Sequence, residues 1–286
     1  MPISVQNLTH IYSSDSPFER AAVNNVSFDI KAGEFVGIIG HTGSGKSTLI
    51  EHLNGLLKPN MGHIFIDNED ITDSSCNMKK LRSKVGLVFQ YPEYQLFEET
   101  VFDDIAYGPK NLGLTPEEIK NRVYEAIRFV GLNENLLFRS PFDLSGGQKR
   151  RVAIAGVLAM NPKILILDEP TAGLDPAAKN DLLNRLKNLH KEKRITILLV
   201  SHSMEDISVT AEKILVMSKG ELVIFDTVER VFKEKDLLKS IGLDVPQICE
   251  VLAYLRNKGY DIDDSIFGVD KAADLIYNLI EGDANA

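Results

Sequence analysis

The stretch Gly40-His41-Thr42-Gly43-Ser44-Gly45-Lys46-Ser47-Thr48 constrains this chain more than any other. It fits the spacing G-x-x-x-x-G-K-[ST] without a mismatch. Before it, Phe35-Val36-Gly37-Ile38-Ile39 is continuously apolar, as a strand buried on both faces of a mainly parallel sheet should be. After it, Lys46, Leu49, Ile50 and Leu53 fall at helical spacing. A strand, a glycine loop and a helix in that order point to an α/β fold. Glycines let backbone amides curl towards an anion, and a helix N-terminus adds positive potential. A plain glycine turn with a surface lysine would need neither the buried strand nor the helix. The expected ligand is therefore a nucleoside triphosphate such as ATP. Lys46 is the expected contact to its β- and γ-phosphates and the Ser47 hydroxyl a ligand of Mg²⁺. Gly40, His41, Thr42, Gly43, Ser44, Gly45 and Thr48 complete the expected cradle.

A second segment supplies acids. Ile164-Leu165-Ile166-Leu167 reads as an interior strand that ends in Asp168-Glu169-Pro170. Asp168, at the strand tip, is placed to hold Mg²⁺, usually through a water. Glu169, one residue on, points elsewhere and can polarise a water aimed at the γ-phosphate. The two segments together spell a Mg-ATP hydrolase.

The rest of the chain organises around these segments. Val5, Leu8, Ile11 and the alternating run Val26-Ser27-Phe28-Asp29-Ile30 read as half-buried strands. Val85–Phe89 and Ile195–Val200 read as further buried strands. Thr115-Pro116-Glu117-Glu118 is a helix start, with Ile119, Val123, Ala126, Ile127 and Val130 at helical spacing and Gly131 as the stop. A helical subdomain over about 91–160 is thus expected inside an α/β core. Leu222–Phe225 is strand-like. Beyond it, Ile248, Val251, Leu252 and Leu255, then Ala272, Leu275, Ile276 and Leu279, form two amphipathic stripes. We divide the 286 residues into a main unit over 1–240 and a C-terminal extension over 241–286.

The motif Leu144-Ser145-Gly146-Gly147-Gln148, followed by the helical run Lys149–Ala155, narrows the class. The amides at that helix start, with Ser145, would make a second anion site. Here the sequence resembles the ATP-binding cassette family over roughly Val5 to Ile224. The resemblance implies a P-loop cassette fold: a mixed β-sheet core with an antiparallel β-subdomain and an inserted helical subdomain. It implies that Ser145, Gly146, Gly147 and Gln148 face the γ-phosphate held by a second cassette, so that two chains sandwich two nucleotides head to tail. It makes Gln90 the glutamine that senses Mg²⁺ and the attacking water. It makes Asp175, in Gly173-Leu174-Asp175-Pro176, a residue that contacts the partner, and His202 the switch histidine at the γ-phosphate. On its own, His202 would read as a capping or core histidine. Tyr12 resembles the aromatic that stacks on adenine. Phe18, in the insertion-like segment Ser13–Arg20, is the alternative.

The run Phe89–Val101, with Asp104–Gly113, looks like the ATPases of energy-coupling factor transporters, importers of vitamins and transition-metal ions. Ser140-Pro141-Phe142-Asp143 and Val152–Met160 resemble the second of the two unlike ATPases in such systems. The resemblance implies a second cassette chain as dimer partner, unlike or identical, an integral membrane coupling protein docked near Tyr91–Phe97, and a separate substrate-binding membrane subunit. Tyr91, Tyr94, Leu96 and Phe97 are the expected apolar lining, unless they are buried in the helical subdomain's own core. The tail is expected to contribute to the dimer. The nearest alternative is the ATPase of an importer that uses a solute-binding protein. A soluble cassette ATPase of DNA or ribosomes fits less well, since no heptad run and no second cassette or basic linker is present.

Composition agrees. With 32 Lys and Arg against 41 Asp and Glu, the net charge is −9, and general nucleic-acid binding, which rests on neutralising phosphates, is disfavoured. The two cysteines, Cys76 and Cys249, lack any metal-site spacing and read as reduced thiols. No basic n-region with an apolar run follows Met1, and the longest apolar runs are strand-length, whereas a membrane-spanning helix needs about 20 residues. The expected location is the cytoplasmic face of a membrane, held through partners.

Overall fold

The computed structural model describes residues 2–12, 20–262 and 266–284. In chain order the strands are β1 (Ile3–Tyr12), β2 (Arg20–Ile30), β3 (Phe35–Ile39), β4 (Met61–Ile66), β5 (Glu69–Asp70), β6 (Val85–Val88), β7 (Ile164–Asp168), β8 (Thr196–Val200), β9 (Lys213–Ser218) and β10 (Glu221–Thr227). The helices are α1 (Lys46–Leu53), α2 (Met78–Lys84), α3 (Val101–Leu112), α4 (Pro116–Phe129), α5 (Gly146–Ala159), α6 (Pro176–Lys193), α7 (Met204–Thr210), α8 (Val228–Lys233), α9 (Lys235–Ser240), α10 (Gln247–Asn257) and α11 (Val269–Ala284).

The strands form two sheets. One is antiparallel, in the order β2-β1-β4-β5; the other is mixed, in the order β10-β9-β3-β8-β7-β6. In the mixed sheet β6, β7, β8, β3 and β9 are parallel neighbours and β10 is antiparallel at the edge. Every residue of β3, β7 and β8 is buried, as expected of strands covered on both faces. Alternate residues of β3 point to opposite layers. Phe35 and Ile39 join a core shared with α3, α4, α5 and α6. Val36 and Ile38 join a core shared with the antiparallel sheet and α1.

The buried strands β3, β6, β7 and β8 fall within a residue of the ends read from the sequence, whereas β2 begins at Arg20, well before Val26, and β10 runs on to Thr227, past Phe225. β4 and β9 were not legible: Gly62 and His63 break any alternation in β4, and β9 is a short apolar run just before Lys219-Gly220. Helix α4 begins as its sequence suggests. The Thr115 hydroxyl accepts from the Glu118 amide while the Glu118 carboxylate accepts from Thr115, a capping box.

The two stripes of the tail meet each other. Leu252, Ile262 and Ala272 are buried, with Ile248, Leu255, Leu275, Ile276 and Leu279 packed against them, whereas Val251 faces solvent. Upstream, Leu243, Val245 and Cys249 join the larger core beneath the mixed sheet. Among the described residues no helix is long and apolar enough to cross a membrane.

Candidate active site

The loop at the tip of β3 is shaped by close approach. A Cβ on Gly40 would collide with the Met217 carbonyl and the Ser44 hydroxyl, and one on Gly45 with the Ala22 carbonyl. Gly45, in the left-handed region at φ 101°, opens α1 with no side-chain cap, so its first amides are free for an anion. Ser44 Oγ is buried and has no hydrogen-bond partner among the described residues. Lys46 folds back over the loop, its ammonium donating to the Gly40 carbonyl at 2.6 Å and the His41 carbonyl at 3.1 Å. Burial lowers the Lys46 pKa, and the charges of Glu169 and Asp168 offset part of that. A buried cation lent to carbonyls, an orphaned hydroxyl and uncapped amides together form a cradle for phosphate.

The acids come from the ends of parallel neighbours. Because β6, β7 and β8 run side by side in one direction, the residues just past their C-terminal ends converge on one edge, where ligands of α/β sheets bind. The Ser47 hydroxyl, in the first turn of α1, donates to Asp168 Oδ2 at 3.3 Å. Asp168 is buried, and its carboxyl is pushed above the usual range by desolvation and by the neighbouring Glu169, against the pull of Ser47 and Lys46. Glu169 sits at φ 48°, a left-handed backbone that costs a non-glycine residue about 1–3 kcal/mol and clusters at functional sites. Glu169 Oε1 lies 2.7 Å from His202 Nε2, and Oε2 accepts from Gln90 Nε2 at 3.2 Å.

Tyr12, Ala22, Gly43, Gly45, Lys46, Ser47 and Thr48 line a cleft of about 200 Å³. The Tyr12 hydroxyl is 3.4 Å from Thr48 Oγ1, which holds the ring beside α1. Phe18 lies outside the described residues. At the start of α5, Ser145 is the N-cap: its hydroxyl accepts from the Gln148 amide and the Gln148 side chain accepts from Ser145 N at 3.0 Å. Gly146 is exposed there and a Cβ on it would meet nothing. Asp175 caps α6 through Ala178 N and is likewise exposed. The sequence therefore marked two separate groups, one around Lys46 and Glu169 and one at surface helix starts.

The comparisons with known proteins fit this geometry. Residues 23–172 match the family model described as ABC transporter. The energy-coupling factor transporter ATP-binding protein EcfA2 of Caldanaerobacter subterraneus subsp. tengcongensis is 54% identical over 285 residues, 100% of either chain. The chain belongs to the ATP-binding proteins of energy-coupling factor transporters. A solved structure of CbiO1 from Clostridium perfringens, described as part of the ABC transporter complex CbiONQ, matches with a TM-score of 0.74 at 38% identity, over 88% of this chain and 98% of that one. A dimeric post-hydrolysis state of the cassette MJ0796 bound to ADP and Pi matches with a TM-score of 0.71 at 32% identity, over 79% and 98%.

Two features of this energy-coupling factor cassette escaped the sequence. Of the four residues expected to line a groove, Tyr91, Tyr94 and Phe97 are exposed and Leu96 is half-buried against the helical core. Tyr91 takes a left-handed backbone at φ 53°, and Pro92–Gln95 is a single tight turn in which Pro92 is buried. The apolar groove beside it, about 540 Å³, is lined instead by Leu56, Phe89, Tyr107, Leu112 and Met160, with Lys79 and Arg82 among its polar residues. Phe97 borders it through an edge-on contact with Tyr107 at 5.0 Å. The second feature is Arg150, a helix charge by sequence but buried in the cassette. The run of three basic residues before an apolar helix was the only hint of it.

Proposed function

We propose that this chain is the ATP-hydrolysing subunit of an energy-coupling factor importer for vitamins or transition-metal ions. The observation that supports it most is the carboxylate of Glu169, held between Gln90 and His202 at the mouth of the phosphate loop. Its place at the tip of β7 suits a base that takes a proton from the attacking water, and His202 suits a switch that exchanges the carboxylate for a phosphate oxygen. Lys46 would exchange two carbonyls for the β- and γ-phosphates, the Ser44 hydroxyl would gain the partner it lacks, and Tyr12 would flank the base. Gly40 to Thr48 would form the cradle.

Magnesium fits the residues present. Ser47 and Asp168 offer two oxygens, and among the described residues no cluster of three His, Cys, Asp or Glu could enclose a metal. Such a partial oxygen shell suits an ion that keeps its waters and takes its remaining ligands from phosphates. When bound, it would neutralise charge on the phosphates; Gln90 would reach it only by leaving Glu169.

The starts of α5 and α6, with Ser145 to Gln148 and Asp175, are in this reading the surfaces that meet the nucleotide and the loop of a second cassette. The membrane coupling protein would dock at the groove bordered by Phe97, near Tyr91–Phe97, with the substrate bound by a further membrane subunit. Residues 1–240 would act as the cassette, with the helical subdomain over about 91–160, and 241–286 as a dimerisation extension. The chain would sit at the cytoplasmic membrane face. Purification of the tagged chain from its own membranes in mild detergent, with mass spectrometry, tests this. Recovery of a second cassette ATPase and one integral membrane protein with small substrate-binding subunits is expected. Recovery with two like membrane subunits and a solute-binding protein would instead assign the other importer class.

A further inference from the structure

Behind Tyr12 lie two histidines that the mechanism above does not use. His10, on β1, and His52, on α1, are buried, His52 fully so. Their rings meet edge-on at 4.6 Å between centroids, and the Tyr12 ring stands edge-on against His10 at 4.5 Å. The three rings thus form a row from the wall of the phosphate-loop cleft to the interior beneath α1.

The hydrogen bonds fix the protons in that row. His52 Nδ1 lies 2.6 Å from the Thr48 carbonyl, an acceptor only, so Nδ1 carries the hydrogen. In neutral His52, Nε2 is then a lone pair, and it lies 3.1 Å from His10 Nδ1. His10 Nδ1 is also 3.3 Å from the Lys58 carbonyl, so it donates to both acceptors. Protonation of His52 would set two N–H groups against each other and force His10 off the Lys58 carbonyl. Burial lowers the His52 pKa, the Thr48 carbonyl raises it, the charge of His10 lowers it, and the Lys58 carbonyl raises it, with a net fall. Glu51, on the same helix, is the carboxyl facing the pair; burial raises its pKa and His10 partly offsets that.

We propose that His10 and His52 are positioning residues that hold the Tyr12 ring for the base of the bound nucleotide. The inference rests on the reading of Tyr12 as the base-flanking aromatic. The pair leaves the phosphate cradle to Lys46 and the loop amides, so it governs the part of nucleotide affinity that comes from the base. The contrast between ATP and inorganic tripolyphosphate, each with Mg²⁺, isolates that part.

The experiment measures binding of ATP and of tripolyphosphate to the full chain at pH 8 and takes the ratio of the two affinities. In a variant with H10F and H52L, ATP binding should weaken about tenfold and tripolyphosphate binding should hold. H52Q, which can still donate to Thr48 and accept from His10, should restore most of the ratio. An unchanged ratio in the folded double variant overturns the proposal; where that variant does not fold, H10F alone is read in its place, and an unchanged ratio there overturns it. Equal loss of both ligands also overturns it, since the pair would then support the loop. Y12A separates the underlying reading. If Y12A lowers the ratio and the histidine variants do not, the pair has no such role and the base site stands. If Y12A leaves the ratio unchanged, the reading of Tyr12 falls, and the proposal with it.

Discussion

Arg150 and Glu93 meet in a two-bonded ion pair, Nε to Oε2 at 3.0 Å and Nη2 to Oε1 at 2.8 Å, with the guanidinium almost wholly buried. The remaining nitrogen of Arg150 turns to the carbonyls of Pro170 and Ala172. One side chain of α5 therefore ties the turn that follows Gln90 to the loop that follows Glu169. From the far side, Asp206 accepts from Thr171 Oγ1 at 3.1 Å and pairs with Lys179 at 2.7 Å. Removal of one partner from a buried pair strands the other charge, at about 3–5 kcal/mol. Arg150→Met should lower unfolding free energy by about that amount in urea titrations. A loss within experimental error would mean the pair is not part of the folded scaffold.

The same pair gives an acid limb. Burial raises the Glu93 carboxyl, but the bonds from Arg150, a backbone bond and the guanidinium charge together hold it below its ordinary 4.5. Folding thus favours the charged form. Its stabilisation is complete above the unfolded value and disappears as pH falls through the lower folded one. The stability gap between the parent and Glu93→Gln should be widest near neutrality and narrow below the ordinary carboxylate value. A gap that widens on acidification would reverse the sign assigned here.

Lys46→Ala removes the cation held over the loop and leaves the amides. Binding of Mg-ATP, followed by equilibrium fluorescence or calorimetry, should weaken strongly, and turnover should be lost. Parent-like turnover would remove the loop lysine from the mechanism.

Glu169→Gln keeps the size of the side chain and both of its neighbours while deleting the base. ATP binding should survive and hydrolysis should slow by about 10²–10⁴. In that variant ATP should also lock the cassettes together, visible as a larger species by size exclusion. Hydrolysis at the parental rate would assign the proton transfer elsewhere.

Chelation of divalent cations should abolish hydrolysis, and added Mg²⁺ should restore it. Ser47→Ala should raise the Mg²⁺ concentration needed for half-maximal activity, because it withdraws one of the two groups, Ser47 and Asp168, that would hold the ion. An unchanged Mg²⁺ requirement would leave Ser47 with a purely local role.

Much of the site was legible because it is local. The phosphate loop, the acidic end of β7 and the capped start of α5 each occupy one uninterrupted stretch, and each needs only its own neighbours to take shape. The meeting of Gln90, Glu169 and His202 is different. It depends on β6, β7 and β8 being adjacent and parallel, which no single stretch states and which came from the family resemblance. The groove beside Phe97 is not legible in any one stretch, because its walls come from the loop after α1, from α2, from β6 and from α3. Three basic residues in a row look like a solvated face, and only packing shows that Arg150 is the buried one. β4 lacks clear alternation, with Gly62 and His63 near its start.

The strand that carries the phosphate loop has no foundation of its own. Ile39 and Ile38 are successive residues, yet one belongs to the interior beneath the helices and the other to the interior beneath the antiparallel sheet. A trimmed side chain deep in either interior shifts the seat on which the loop rests, however far it lies from any phosphate. Nucleotide affinity in this protein should then serve as a gauge of how well both halves are packed, and random substitutions that weaken it should be scattered through two interiors rather than gathered around one cleft.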